Sequence, residues 1–431
     1  MKVAQPGSYD EAAELLRAAA EDGRRVRFRG GGTKLEWGRP VPAPDLEICT
    51  QGLDRVLEHN AGDFTAVLQA GTPLSMAQEV FAGAGQMLAL DPPLSPWGAG
   101  GDDAAIEAGD AGATIGGIVA TNDSGPLRHR YGGVRDLVVG VTVVLSDGTI
   151  ARAGGKVIKN VAGYDIGKLL AGAFGTLGLI AEVTVRLHPR PARTATVIAR
   201  SEDPLQLTAA AAALAHAPLE ADCLDLWWDA APMEVASTDT MITLKGGPGS
   251  GSGAALVRFG SADPSPRAEE AMALLKRNGG VTIETKEDDS ACWEGQREAQ
   301  RSDVVVKVST VPSALPAAIA AAQALGGALV ARAALGLAWI QLPGFLPADA
   351  PGADDSDAGA RRDAADLVAM VEDLRRRLAP APCVLLDAPT EVRAALDPWG
   401  GETGPVELMR KVKERFDPAG VCAPGLFVGG I

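Results

Sequence analysis

Apolar and polar positions along this chain follow two periods, one helical and one of strands. From Tyr9 to Glu21 alanines and leucines recur at helical spacing, with Leu15 and Leu16 on the buried face. Ser8 and Glu11 read as a capping box at the start, and Gly23 as the stop. Val26–Arg29 reads as a short strand and residues 64–71 as a longer one. Residues 73–84 predict a helix with proline in its first turn. The apolar run 137–145 predicts a strand, closed by a hairpin-type turn at residues 146–149. A short helix over 166–170 and a strand over 179–187 follow.

Beyond Pro189 the pattern changes. Alanine-rich helical segments (205–216, 267–277, 313–325) alternate with β-like runs (241–245, 255–259, 304–308, 338–342, 383–386). This alternation predicts an α+β layer packed on the first domain. Residues 246–253 and 347–360 read as exposed, mobile linkers. Residues 407–416 predict an amphipathic helix with Leu408, Val412 and Phe416 on one face, broken at Asp417-Pro418. No internal repeat is present.

Composition narrows the function. With 431 residues, 46% hydrophobic and 22% charged, the chain has room for two globular domains. A net charge of −15 without a long Lys/Arg block argues against nucleic acid or an anionic membrane as the main partner. No run of about 18 apolar residues is found, and the N-terminus lacks a charged segment followed by an apolar one. Cys49, Cys223, Cys292, Cys383 and Cys422 are scattered without a CxxC pair, which argues against an iron–sulfur cluster or structural zinc in this chain. His59, His129, His188 and His216 show no metal-ligand spacing, so no metal is expected. A reducing, cytoplasmic compartment fits best.

Three glycine-rich regions carry the candidate chemistry. The first, Gly30-Gly31-Gly32-Thr33-Lys34, follows a strand; it is either a flexible turn or a nest of N–H groups for phosphate. The second, residues 113–136, contains Gly116, Gly117, Gly125, Gly132 and Gly133, which permit close backbone approach. It also holds Asn122, Asp123 and Ser124, which are turn formers. The third, residues 154–180, places Lys159, Asn160, Tyr164 and Asp165 before a short helix and Gly172, Gly175 and Gly178 after it. Residues 88–93, ending in Pro92-Pro93, read as a rigid extended segment, and the acidic insert 98–112 as a mobile surface loop. Three such regions within the first 190 residues point to one cradle for the pyrophosphate and ring system of a flavin dinucleotide, rather than three unrelated packing corners. His129, between Arg128 and Arg130, is either a proton-handling or anion-contacting group or a histidine outside the site. Lys156 and Lys159 either offset flavin charge or face solvent. Trp227-Trp228 is either core or a partner anchor.

Four segments together resemble the flavin-binding oxidoreductases of the vanillyl-alcohol-oxidase type, with their PCMH-type FAD-binding domain. They are RFRGGGTK (27–34), GATIGGIVATNDSG (112–125), RYGGVRDLVVGVTVVLSDG (130–148) and KNVAGYDIGKLLAGAFGTLGLIAEVTV (159–185). The tail LMRKVKERFDPAGVCAPGLF (408–427) is similar to that family's closing helix and stop. The resemblance covers the first 190 residues and roughly the last 35. Within the family it points to the smaller flavoprotein subunits of glycolate-oxidase-type complexes. It implies an α+β fold: a two-subdomain PCMH-type FAD-binding domain over 1–190, an α+β cap domain over 191–389, and a segment over 390–431 whose helix returns to the FAD domain.

The resemblance also implies a site. Gly30, Gly31, Gly32 and Thr33, with the loop 116–125 holding Gly116, Gly117, Thr121, Asn122, Ser124 and Gly125, and with Thr114 before it, would bind the pyrophosphate through backbone N–H groups. Each hydrogen bond to a charged acceptor contributes roughly 1.5–3 kcal/mol. Gly172, Gly175, Gly178 and Ile180 would lie along the adenosine or ring edge, and Pro92, Tyr131 and Gly132 would line the cleft. Related 2-hydroxyacid dehydrogenases carry catalytic and metal-binding histidines, yet this chain has none after His216, no HxGDGNxH and no EHG. The catalytic residue is therefore unassigned. Thr33 stands where covalently flavinylated relatives carry histidine, so the implied FAD is non-covalent. The implied function is oxidation of glycolate or D-lactate to the 2-oxo acid. The implied partners are a larger FAD-containing catalytic subunit and an iron–sulfur subunit, through which alone the chain would reach the inner face of the membrane. The alternatives are a stand-alone FAD-dependent hydroxyacid or alcohol dehydrogenase and a flavin-binding scaffold without turnover.

Overall fold

The computed structural model describes residues 1–94, 112–156, 164–229, 251–344, 362–401 and 404–431. The chain divides into two units, Met1–Arg190 with Gly401–Ile431, and Pro191–Gly400. The second unit thus extends past residue 389, to Gly400.

In the first unit, β1 (Lys2–Ala4) precedes α1 (Tyr9–Glu21), and β2 (Val26–Arg29) and β3 (Leu46–Cys49) follow. The three strands form a parallel sheet in the order β1-β3-β2. Ser8 caps α1 by accepting from the Glu11 amide at 3.2 Å, while the Glu11 carboxylate accepts from the amide of Gly7, one residue earlier than the capping box predicts. Ala12, Leu16 and Ala19 of α1 are fully buried with Leu46 and Ile48 of β3. Next come β4 (Val56–Asn60), β5 (Thr65–Gln69), α2 (Leu74–Ala82) and β6 (Gln86–Met87). After them stand α3 (Ile115–Thr121), the single turns α4 (Arg128–Tyr131) and α5 (Val134–Leu137), β7 (Val138–Val144) and β8 (Ile150–Gly154). α6 (Ile166–Leu170), β9 (Leu179–Arg186) and β10 (His188–Pro189) complete this part. An antiparallel sheet runs β4-β5-β9-β7-β8. Its core is closed by Leu74, Ala77 and Phe81 of α2 and Ile115, Ile118 and Val119 of α3.

α3 corrects the sequence reading of residues 116–125 as a loop. Glycines at 116 and 117 lower helix propensity, but Thr114 caps the turn and Ile115, Ile118 and Val119 bury one stripe. Tertiary packing therefore overrides propensity.

Among the described residues, the strands of the second unit form an eight-stranded antiparallel sheet. Its elements are β11 (Arg193–Ser201), α7 (Pro204–His216), β12 (Cys223–Asp229), β13 (Ser252–Ser261), α8 (Ser265–Asn278), β14 (Thr282–Lys286) and α9 (Ser290–Glu298). They continue with β15 (Val305–Ser309), α10 (Leu315–Ala324), β16 (Ala328–Arg332), β17 (Leu337–Gln341), α11 (Ala364–Leu378), β18 (Cys383–Asp387) and α12 (Thr390–Ala395). The strand order is β14-β11-β13-β12-β16-β17-β15-β18. Alternate strand residues (Val197, Leu226, Val257, Val306, Ile340) pack with α7, α8, α10 and α11. Trp228 belongs to this core and is fully buried. The segment 246–253 is not all linker, because Ser252 and Gly253 pair in β13. The expected strand 241–245, linker 347–360 and all but Gly112 of insert 98–112 lie outside the described residues, as do Lys159 and Asn160.

The closing helix α13 (Val406–Phe416) packs Val412 and Phe416 against the antiparallel-sheet core of the first unit. Leu408, expected on the same face, is 59% exposed, because positions four apart drift around the helix. The tail then runs beside β2: Val26 donates to Val421 O and Ala423 donates to Val26 O, both at 2.8 Å. Lys413 Nζ donates to Thr176 O at 2.8 Å, Cys422 O at 2.7 Å and Asp417 Oδ2 at 2.5 Å. Burial raises the Asp417 carboxyl, but Lys413 and the Cys422 amide outweigh it and hold it below the usual carboxylate range.

Candidate cofactor-binding site

The three glycine regions meet in the first unit, and most of their glycines lie in close contact with other parts of the chain. A Cβ on Gly30 would stand 2.1 Å from Thr114 Oγ1, and one on Gly31 would stand 1.6 Å from Gly112 O. These approaches lock the first region to the second. A Cβ on Gly116 would meet the Ala70 Cβ at 2.6 Å, and one on Gly125 would meet Asp91 O at 1.8 Å. The third region closes the set: Gly172 lies on the Asn122 side chain and Gly175 on the Phe28 ring. Gly172 also donates to Val119 O at 2.9 Å and Phe174 to Ala120 O at 2.8 Å, so this loop caps the end of α3. Gly178, at φ +130°, sits over Val144 O.

Two expectations change here. The close approach that these glycines permit is first to other parts of the chain. The amides of the second region are also largely spent inside the protein. Gly116 donates to Ala70 O at 2.7 Å, Gly117 to Thr114 Oγ1 at 3.4 Å, Asn122 to Val119 O at 3.2 Å and Ser124 to Asp123 Oδ1 at 2.9 Å. Gly132 donates to Arg128 O at 3.1 Å. By contrast, no group among the described residues accepts from the amides of Gly31, Gly32 or Gly125. Unused donors beside a glycine turn suit an anion.

Polar side chains stand in the same glycine regions. Asn122 holds a left-handed backbone (φ 51°), and its Oδ1 is buried without a hydrogen-bond partner among the described residues. A buried acceptor left unpaired costs free energy unless a ligand or water completes it. Thr121 Oγ1 is turned back on Gly117 O at 2.9 Å, and Ser124 Oγ accepts from Arg128 at 3.2 Å. Lys34 Nζ lies 3.2 Å from Asp123 Oδ2 and donates to Pro93 O at 3.1 Å and Thr33 Oγ1 at 3.3 Å. Sequence reasoning treated Asp123 as a turn former; no local signal ties it to Lys34, which lies far away along the chain. Pro92 is buried beside this contact.

The Tyr131 and His188 rings are in tilted contact, with centroids 4.7 Å apart and planes at 57°, and Arg130 lies over the Tyr131 ring. Burial lowers the affinity of His188 for a proton, and Arg186 and Arg130 add to the effect. His129 is lowered in the same way, by burial and then by Arg130, and its buried Nδ1 has no partner among the described residues. Ile180 is a strand residue of the core, paired with Val143. Lys156 pairs with Glu58 at 2.5 Å. No group of three or more potential metal ligands occurs among the described residues.

Free main-chain donors and the unpaired Asn122 oxygen fit the anionic and hydroxyl-bearing parts of a dinucleotide. Comparison with known proteins agrees. The FAD binding domain family matches residues 2–101 and 104–154, and the C-terminal domain of FAD linked oxidases matches residues 398–426. The chain is an FAD-linked oxidoreductase with a PCMH-type FAD-binding domain. It is similar to glycolate oxidase subunit GlcE of Escherichia coli (strain K12), 34% identical over 185 residues, covering 42% of this chain and 48% of the relative. It is also similar, over 99% of its length and 90% of the relative, to an uncharacterized FAD-linked oxidoreductase of Mycobacterium tuberculosis (strain ATCC 25618 / H37Rv), at 27% identity. A solved alkyldihydroxyacetonephosphate synthase shares the fold with a TM-score of 0.67 at 15% identity, covering 98% of this chain and 76% of the synthase.

Proposed function

We propose that this chain is the smaller FAD-binding subunit of a glycolate-oxidase-like complex that oxidises small 2-hydroxy acids such as glycolate or D-lactate. Its partners would be a larger FAD-containing catalytic subunit and an iron–sulfur subunit. The observation that carries the reading is the convergence of Gly30–Gly32, Thr114–Gly125 and Gly172–Gly178 around α3, with the amides of Gly31, Gly32 and Gly125 unused among the described residues. The likeness to GlcE supplies the substrate class.

FAD bound here would accept the hydride equivalent. The amides of Gly31, Gly32 and Gly125 would receive the diphosphate, and Thr33 and the buried Pro92 would wall it. Asn122 Oδ1 would accept from a cofactor hydroxyl or amine. Tyr131 and Gly132 would line the cleft, and Gly172–Ile180 would hold α3 and Asn122 in place. Thr33 offers no imidazole for covalent attachment, so the flavin is held non-covalently. Oxidising a 2-hydroxy acid also needs a base for the hydroxyl proton and a cation for the carboxylate. With no histidine after His216, those groups are assigned to the larger subunit. Among the described residues no helix is long and apolar enough to cross a membrane, and membrane association is assigned to the partners.

Purification of the chain alone tests the proposal. The expected preparation is yellow, releases its flavin on acid precipitation and is not bleached by glycolate or D-lactate. Adding the larger flavoprotein and the iron–sulfur subunit should then permit reduction. Bleaching of the isolated chain by either acid would make it a stand-alone dehydrogenase. A flavin that stays oxidised in the full complex, while the larger subunit's flavin turns over, would make it a scaffold.

A further inference from the structure

Lys34 and Asp123 sit in two different glycine regions, one after β2 and one after α3, and their charged atoms lie 3.2 Å apart. The side chains are 5% and 4% exposed, so the pair is removed from water. Asp123 Oδ1 accepts from the Ser124 amide, whereas Oδ2 faces the ammonium and makes no hydrogen bond among the described residues. A buried carboxylate beside amides suited to an anion opposes that anion unless a cation cancels it. Lys34 is also fixed by Pro93 O and Thr33 Oγ1, so the ammonium cannot swing away without losing three oxygens.

Resting on the reading that these regions hold the FAD diphosphate, we propose that the Lys34–Asp123 pair sets the charge balance of the cofactor site. Lys34 is a positioning residue that neutralises Asp123. Asp123 in turn keeps the lysine from becoming an indiscriminate anion site. The sign of each substitution follows. Removing the cation exposes FAD to an uncancelled carboxylate. Removing the carboxylate frees a cation for the diphosphate. Removing both restores neutrality.

The test uses the full chain stripped of flavin, titrated with FAD and followed by flavin fluorescence. Lys34→Met is expected to weaken FAD binding by about tenfold or more. Asp123→Asn is expected to bind FAD at least as tightly as the wild type, to gain affinity for ADP, and to show a larger FAD-induced rise in Tm. The double variant should return to within about threefold of the wild type. Loss of FAD in Asp123→Asn equal to that in Lys34→Met, without recovery in the double variant, would overturn the proposal and leave the pair a structural tie. If Lys34→Met does not fold, Asp123→Asn decides alone, since a tenfold loss there is incompatible with charge balance. Gly32→Val, which forces a side chain onto a φ of +75° beside an unused amide, separates this from the parent reading. Unchanged FAD affinity in that variant rejects the placement of the cofactor. Weakened affinity there, with parallel losses in both charge variants, rejects only the charge balance.

Discussion

The two units share glycine contacts and buried apolar side chains but differ in emphasis. In the first, backbone meets backbone: Gly31 on Gly112 O, Gly125 on Asp91 O, Gly116 on Ala70. In the second, large side chains fill the space, and Trp228, Trp293, Trp339, Arg332 and Phe259 are each under 2% exposed. Polar groups differ as well. The buried Asp289 carboxylate of the second unit accepts from Thr194, Thr196 and Arg258, and Arg301 pairs with Asp387. Among the described residues, the first unit leaves the amides of Gly31, Gly32 and Gly125 and the Asn122 side-chain oxygen without hydrogen-bond partners. Side-chain packing fills the second unit's core with bulky groups, although Trp228 Nε1 and Gln296 Oε1 are buried there without hydrogen-bond partners among the described residues. Backbone packing brings main-chain donors to a surface and leaves some of them for another molecule.

That contrast can be broken or sharpened by substitution. Gly31→Val should have the largest effect, because its Cβ would lie 1.6 Å from a main-chain oxygen that cannot yield. We expect loss of bound flavin and destabilisation above about 4 kcal/mol, read from visible absorbance and thermal unfolding. Retained flavin with an unchanged Tm would mean that the two glycine regions do not interlock. Phe259→Ala in the second unit should cost about 3–5 kcal/mol in urea unfolding, while FAD affinity changes by less than about threefold. A large loss of FAD there would erase the division of labour between the units.

A smaller effect is expected from acid. The proton affinities of His129 and His188 lie below the ordinary value of 6.5 in the folded protein. The unfolded chain therefore binds protons first as pH falls below 6.5. The stability contributed by the neutral rings is complete above that value and is lost as pH drops through the lower folded values. Urea midpoints should fall with acidification, and His129→Gln with His188→Gln should flatten the slope. The smallest effect belongs to Gly62→Ala, whose Cβ would meet nothing within 4 Å. Tm and flavin content should stay at wild-type values, showing that glycine matters by contact and not by number.

Local pattern revealed a good deal. The stretches capped by Ser8 and by Asp165 were legible because one polar side chain bonds a nearby amide. The turn after β7 was legible from Asp147-Gly148. α3 was hidden by its glycines. α11 offered a signal that went unused, with Leu367, Met370, Val371, Leu374 and Leu378 at helical spacing and buried. Strands β11, β12, β14 and β16 were also unread, although β16 pairs with β17 only a few residues further on. Distance along the chain concealed Lys34–Asp123 and the approach of Gly175 to Phe28. The glycine regions announced that something comes close; only the fold tells that much of it is the chain itself.

The tail beside β2 bears on how the molecule is made. The amide and carbonyl of Val26 are bonded by Val421 and Ala423, so the sheet leading into Gly30–Gly32 has a late-synthesised neighbour. During translation the second unit, continuous from Pro191 to Gly400, can fold as it emerges. The first unit keeps an open edge on β2 until residues 421–423 have emerged. Loading of FAD is thereby deferred until after the second unit has been made, and a ribosome-stalled chain lacking residues 421–423 should leave the second unit folded and the flavin unbound.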